Sequence, residues 1–126
     1  MITVSPEEFD AIATRAIERI PEELRQYLEN VVISVQKEPS PDLLEEMGMD
    51  PGEDTLLGLY QGVALTERSA TEPPMFPDTI FLFQEPIEEM CETVEDLEDE
   101  IEITVVHEIA HYFGIDEERL AELGYD

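Results

Sequence analysis

The chain has 126 residues, of which 33 are acidic, 6 are basic and 42% are hydrophobic, giving a formal net charge of −27. This length and hydrophobic share allow a packed core, and they predict one globular domain over residues 1–126. The negative charge excludes nucleic-acid binding through lysine and arginine and disfavours anionic membranes, whereas it favours a basic partner or substrate.

Three features predict a cytoplasmic protein. No apolar run approaches the roughly 20 residues that span a bilayer. The first ten residues, "MITVSPEEFD", contain neither the basic nor the apolar region of a secretory signal. Cys91 is the only cysteine, which excludes an internal disulfide and suits a reducing compartment.

The first part of the chain predicts helices around one strand. Ser5 can cap a helix whose apolar stripe continues at helical spacing to Ile20. Pro21 starts a second short helix, and the β-branched run "VVISVQKE" (31–38) predicts a strand. A third short helix is expected after Ser40, followed by a turn at "DPG".

The middle of the chain predicts the remaining strands. The segment 55–68 ("TLLGLYQGVALTER") predicts one or two strands, with a bulge or bend at Gly58 and Gly62. Three prolines make residues 69–78 a loop, and "TIFLFQ" (79–84) predicts a further strand.

One long helix is predicted from about residue 95 to residue 113. Gly114 follows it where a left-handed C-terminal cap is expected. The acidic residues from Glu88 to Glu102 are interrupted by apolar ones at helical intervals, which indicates a solvated helix face. The residues expected to be buried are Leu97, Ile101, Val105, Ile109 and either Tyr112 or Phe113. Helices at both ends with strands between them, and no regular β-α-β alternation, predict an α+β fold.

Both histidines of the chain lie in "VVHEIAHYF", four residues apart. On a helix, His107 and His111 are neighbours on one face, with Cβ atoms about 5–6 Å apart, so both imidazoles can bind one zinc ion. Glu108 lies one step around the helix, where its carboxylate can act as general base toward a water. The segment therefore predicts a catalytic zinc site.

Zinc needs a third protein ligand, and Gly114 lets the chain turn sharply so that the following residues approach the ion. The candidates are Asp116 and Glu117. Asp116 is also suited to cap the last helix, "EERLAELG", and Glu117 suits its first turn through the helix dipole. Because capping already accounts for Asp116, we favour Glu117 as the ligand and keep Asp116 as the alternative.

The stretch "HEIAHYFGIDEERL" is similar to the metzincin pattern H-E-x-x-H-x-x-G-x-x-ligand, with Glu117 in the third-ligand position. With "LLGLYQGVALTERS" and "DTIFLFQEPIEE", it resembles the small bacterial zincin-like metallopeptidase family, formerly a domain of unknown function, over about residues 55–123. The resemblance implies a minimal zincin fold, in which a small mixed sheet packs with an N-terminal helix and an active-site helix. It also implies His107 and His111 as zinc ligands, Glu108 as base and an acidic third ligand.

Two departures from the metzincin pattern stand out. A carboxylate replaces the third histidine, which makes the site more anionic, and no methionine-containing turn follows the motif. We expect a zinc-dependent metallopeptidase that cleaves amide or peptide bonds in a peptide or protein substrate. The alternative is a metal-binding or acidic protein-interaction module without catalysis.

Other residues carry weaker hypotheses. Tyr60, Tyr112 or Tyr125 could stabilise an oxyanion, although tyrosines in apolar surroundings usually belong to the core. Arg68 is expected to pair with a carboxylate. The acidic neighbours of Cys91 should raise the pKa of its thiol, which argues against a nucleophile.

Overall fold

The computed structural model describes residues 1–62 and 78–125 and has the expected α+β class. The helices are α1 (Pro6–Glu18), α2 (Glu22–Arg25), which continues into a 3₁₀ turn (Gln26–Leu28), α3 (Pro41–Glu46), α4 (Gln84–Glu89), α5 (Val94–Phe113) and α6 (Glu117–Glu122). The strands are β1 (Val31–Gln36), β2 (Gly58–Gln61) and β3 (Asp78–Phe83). None of the described helices is long and apolar enough to cross a membrane.

Local signals set the helix ends as expected. The Ser5 hydroxyl accepts the Glu8 N–H at 3.1 Å, and the Ser40 hydroxyl accepts the Leu43 N–H at 3.1 Å. Each bond satisfies one of the amide groups left without a partner in a first helical turn. Gly114 ends α5 with φ at 71°, the left-handed conformation that glycine adopts without strain.

The three described strands form a mixed sheet in the order β1-β3-β2. β3 runs parallel to β1 and antiparallel to β2, and Ile80 on β3 pairs with both Ile33 and Tyr60. Asp78 already begins β3. The rest of the loop predicted at 69–78, and the end of the segment predicted as strands at 55–68, lie outside the described residues.

The core lies between the sheet and two helices. α1 packs against α5 and β1, and α5 also contacts β2 and β3. Burying each large side chain there contributes about 1.5–3 kcal/mol relative to an exposed one. Members of this core with at most 1% of their surface exposed include Phe9, Ile12, Ile80, Leu82, Leu97, Ile101, Val105 and Ile109. The four α5 residues predicted as buried from 97 to 109 are confirmed.

The prediction that Tyr112 or Phe113 is buried is wrong, since 50% and 41% of their surfaces are exposed. Residues 111–114 are all exposed, so the buried stripe of α5 ends at Ala110. The two rings instead pack on other aromatic rings: Tyr112 stacks on Tyr60 and Phe113 lies against Tyr27.

The acidic stretch that begins at Glu88 is not solvated throughout. Glu88 is only 2% exposed, and its Oε2 accepts hydrogen bonds from the Val4 N–H at 2.9 Å and from Gln84 Nε2 at 3.1 Å. It lies on α4, a short helix that was not predicted from the sequence. Pro86 falls within the first turn of α4, where proline is tolerated because the amide groups there lack helical partners.

Candidate metal centre and active site

The histidine pair lies near the C-terminal end of α5, which is anchored at both ends. Thr93 and Asp96 form a reciprocal capping box at its start, an S/T-x-x-D pattern that the sequence analysis overlooked. Near the histidines, Val105, Val106 and Ile109 are fully buried. The helix therefore presents its histidine pair from a backbone fixed by core packing.

His107 and His111 are both exposed, and one turn of α5 separates them. They border different cavities. His111 lines a cavity of about 480 Å³ between α5 and β2, together with Glu108. His107 lines a second cavity of about 460 Å³ together with Glu117, Leu120 and Tyr125. The helix face thus lies between two recesses, one toward β2 and one toward α6.

Glu108 is half-buried between the two histidines. Its Oε1 accepts a hydrogen bond from the backbone N–H of Tyr60 at 2.9 Å. Burial raises the pKa of the Glu108 carboxyl, while the Tyr60 hydrogen bond and the positive charge that His111 and His107 can carry oppose that rise. The carboxylate is therefore oriented by the main chain and more basic than a free glutamate.

A close approach of β2 to α5 makes that hydrogen bond possible. A Cβ atom added to Gly58 would lie 2.7 Å from Cγ2 of Thr104 and 3.0 Å from the carbonyl oxygen of Phe81. Only glycine lets the strand lie this near the helix, so that two residues later Tyr60 reaches Glu108. The sequence predicts a bulge or bend at Gly58, and the packing role of this glycine is visible only in the tertiary structure.

The cavity beside Glu108 has mostly apolar walls. β2 contributes one side through Gly58, Leu59 and Tyr60. The remaining described walls are Met47, Leu56, His111 and Tyr112. A cleft that combines apolar walls with a few convergent polar groups is typical of ligand-binding sites.

The structure distinguishes the two candidate third ligands by their local roles. The Asp116 Oδ1 accepts the Arg119 N–H at 2.8 Å and caps α6, as the sequence predicted. Glu117 is exposed and borders the same cavity as His107. These contacts do not test metal binding, and Glu117 as ligand stays a prediction.

The donor atoms of this helix face suit zinc in type, because neutral imidazoles and a carboxylate are common zinc ligands. His107 and His111 fit as two ligands by their spacing and exposure. Among residues 1–62 and 78–125, no three His, Cys, Asp or Glu side chains form a ready metal-binding group. A third ligand from these residues would thus require a side-chain adjustment.

Of the three tyrosines of the oxyanion hypothesis, Tyr60 and Tyr112 are in contact, whereas Tyr125 is bonded to Glu102 on α5. The Tyr60 hydroxyl donates to Asp78 Oδ2 at 2.7 Å, and the Tyr125 hydroxyl donates to Glu102 Oε2 at 2.6 Å. Tyr112 stacks on Tyr60 with 3.9 Å between ring centroids. Burial, and after it the hydrogen bond to Glu102, raise the pKa of the Tyr125 phenol. Tyr112 therefore has the most exposed of these rings, and it borders the cleft.

Two further predictions concern residues away from the cleft. Cys91 is buried, and its pKa is raised to about 11, first by burial and then by neighbouring carboxylates. This direction agrees with the expectation of an unreactive thiol, although burial is the larger cause. Arg68 lies outside the described residues.

Comparison with known proteins gave one family match and a similar fold. A family model described as zincin-like metallopeptidase matches residues 28–125. A solved structure, of a conserved hypothetical protein from Thermus thermophilus, is similar with a TM-score of 0.51 and 23% identity, covering 94% of this chain and 98% of that one. At this identity the likeness concerns the fold alone. No curated protein matched the chain.

Proposed function

Because the chain belongs to the zincin-like metallopeptidase family, we propose that it is a zinc-dependent peptidase with Glu108 as its general base. The observation that carries the proposal is the position of the Glu108 carboxylate. It lies between two exposed histidines, borders an open cleft and is oriented by the Tyr60 N–H. Zincin-like families usually bind zinc, and His107 and His111 are the residues that would hold it.

Glu108 has the features that a general base requires. Its Oε1 is occupied by the Tyr60 N–H, and its Oε2 makes no hydrogen bond within the described residues. A zinc ion, when bound, polarises a carbonyl group and lowers the pKa of a nearby water. Glu108 takes a proton from the attacking water and then gives it to the leaving amine. Its raised pKa suits both transfers.

The third ligand that we propose is Glu117. It shares a cavity with His107, whereas the neighbouring Asp116 already accepts the Arg119 N–H as a helix cap. Binding zinc through Asp116 would break that cap. Three protein ligands leave a position on zinc open, as catalytic sites require.

The cleft between β2 and α5 is the proposed binding site for a peptide or protein substrate. The described residues that line this cleft next to Glu108 are mostly apolar. The net charge of −27 acts over a longer range and favours approach of a basic substrate. We propose the cytoplasm as the compartment, on the basis of the lone cysteine.

The test is a peptide-library digest by the zinc-loaded protein, with metal content measured in parallel. We expect about one zinc per chain, and we expect Glu108→Gln to lower kcat/KM by about 10²–10⁴-fold while keeping the metal. Glu95→Gln, a change of the same kind in the exposed first turn of α5, is the control and should cleave normally. Full activity in Glu108→Gln would refute the base assignment.

A non-catalytic metal-binding or acidic interaction module is the second candidate, and the excess of 33 acidic over 6 basic residues favours it. Such a module would capture a basic protein in a way that salt disrupts and chelation does not. Cleavage that chelation abolishes and added zinc restores would instead support the peptidase.

A further inference from the structure

Tyr125 has a contact that the proposed reaction does not use. Its hydroxyl donates a hydrogen bond of 2.6 Å to Oε2 of Glu102, a residue of α5 that precedes the histidine motif by more than one turn. The bond joins the segment after α6 directly to α5. The hydroxyl proton is thus used in a bond within the protein and is not directed at a substrate oxyanion.

Glu102 is itself held in place from the other side. Nε of Arg19, next to the end of α1, lies 3.0 Å from Oε1 of Glu102, and the Glu102 side chain is only 14% exposed. The carboxylate thus has a cation beside one oxygen, in an ion pair without a hydrogen bond, and the phenol hydrogen-bonded to the other. An acceptor fixed in this way gives the Tyr125 hydroxyl a defined position.

Tyr125 also borders the recess that contains two of the three proposed ligands. It lines the cavity of about 460 Å³ with His107, Glu117 and Leu120. Its backbone N–H donates to the Leu120 carbonyl at 2.8 Å, so Tyr125 is tied back to α6 as well as to α5. A displacement of Tyr125 would therefore displace α6.

α6 depends on such ties because it has only six residues, and helices this short are not stable on their own in water. Leu120 anchors it in the core with 7% of its surface exposed. Nε of Arg119 donates to Glu23 at 2.7 Å, and both side chains are substantially exposed. The bond between Tyr125 and Glu102 joins the end of α6 to α5 beside the His107 cavity, which Leu120 also lines.

We propose that Tyr125 is a positioning residue for the metal site: by bonding to Glu102 it holds α6 against α5 and keeps the Glu117 carboxylate beside His107. The inference rests on the proposed function, since it takes Glu117 as the third ligand. Tyr125 acts through α6 and touches neither the metal nor the substrate.

The test measures zinc affinity by competition with a chelating dye, and the absorption spectrum of the cobalt-substituted protein. Tyr125→Phe keeps the ring and removes only the hydroxyl. We expect it to weaken zinc binding about tenfold, within the range for residues that orient metal ligands, and to change the cobalt spectrum. Tyr27→Phe makes the same change at a tyrosine away from this cavity and should leave both readouts unchanged.

A series at position 102 separates positioning from general stability. Glu102→Gln keeps an oxygen that can accept the Tyr125 hydrogen bond and should bind zinc nearly as the wild type does. Glu102→Leu should match Tyr125→Phe, and the double variant should lose no more than either single one. Thermal unfolding of the metal-free variants shows whether each is folded.

The outcomes also separate this inference from the proposed function. If the wild type cleaves peptides with zinc and Tyr125→Phe binds zinc equally well, the positioning role is overturned and the peptidase stands. If the wild type binds no zinc, both fall. If Tyr125→Phe has weaker metal binding and Glu102→Gln keeps normal binding, the positioning role is supported even where no cleaved peptide has been found.

Discussion

The two sides of α5 hold the candidate site by different means. Toward β2, the Glu108 carboxylate is held by a backbone N–H, and the strand approaches because residue 58 is glycine. Toward α6, the Tyr125 and Glu102 side chains join the segment after α6 to α5, and the Arg119–Glu23 pair joins α6 to α2. The proposed base is therefore positioned by main-chain packing, whereas a proposed metal ligand depends on bonds between polar side chains, of which the Arg119–Glu23 pair is exposed to water and ions.

The difference between the two sides matches the different demands on a general base and on a metal ligand. A general base must stay within hydrogen-bonding distance of the reacting water, and a displacement of 1 Å can cost about a hundredfold in rate. A ligand carboxylate is additionally drawn to its place by the metal itself. The side toward β2 should therefore be sensitive to steric changes, and the side toward α6 to changes in charge, hydrogen bonding and metal.

The largest effect is expected from Gly58→Ala. The added Cβ would meet Thr104 Cγ2 at 2.7 Å and the Phe81 carbonyl oxygen at 3.0 Å, so β2 must move away from α5. We expect a loss of about 1–3 kcal/mol in unfolding free energy, as in other overpacked sites. We also expect about a hundredfold lower kcat/KM, because the Tyr60 N–H would no longer orient Glu108.

Two further variants serve as controls for that prediction. Gly52→Ala adds the same methyl group in an exposed turn, where the nearest atom would be 3.4 Å away, and it should change neither quantity. Adding Thr104→Ser to Gly58→Ala removes the closer of the two clashing atoms and should restore part of the activity. Wild-type kinetics in Gly58→Ala alone would show that the close approach is not needed.

An intermediate effect is expected at the start of α6, where neighbouring carboxylates have separate roles. Glu117→Gln should weaken zinc binding about 10–100-fold and leave metal-free stability nearly unchanged. Asp116→Ala should lower stability by about 1 kcal/mol through loss of the cap, with a smaller change in zinc affinity. Dye competition measures zinc affinity, and urea unfolding measures stability. A larger loss of zinc affinity in Asp116→Ala than in Glu117→Gln would make Asp116 the ligand.

The smallest effect is expected on folding stability at alkaline pH, through Tyr125 on the α6 side. The pKa of the Tyr125 phenol is raised above its ordinary value of about 10, first by burial and then by Glu102. Above about pH 10 the unfolded chain releases this proton while the folded chain retains it, so the folded state loses stability as pH rises. Urea unfolding between pH 8 and pH 11 should show this decline in the wild type. In Tyr125→Phe the decline should be smaller, and an identical decline would contradict the assignment.

Most features that depend on neighbouring residues were predicted from the sequence, the capping box of Thr93 and Asp96 being the exception. The caps at Ser5 and Asp116, the start of a short helix after Ser40 and the left-handed Gly114 all follow from bonds within one helical turn. The four-residue spacing of the histidines places them on one face of a helix, and the family match over residues 28–125 extends beyond the segments that carried the resemblance. Local rules suffice for these features because the interacting groups are close in the chain.

Features that join distant segments were decided by tertiary packing alone. The Tyr60 N–H and Glu108 are 48 residues apart, and Tyr125 and Glu102 are 23 apart. Glu88 appeared to belong to a solvated acidic face, yet it is buried because the N-terminal segment covers it. Side-chain type and spacing determine which face a residue occupies on its own element. Which second element meets that face, and how closely, depends on the shape of the whole core.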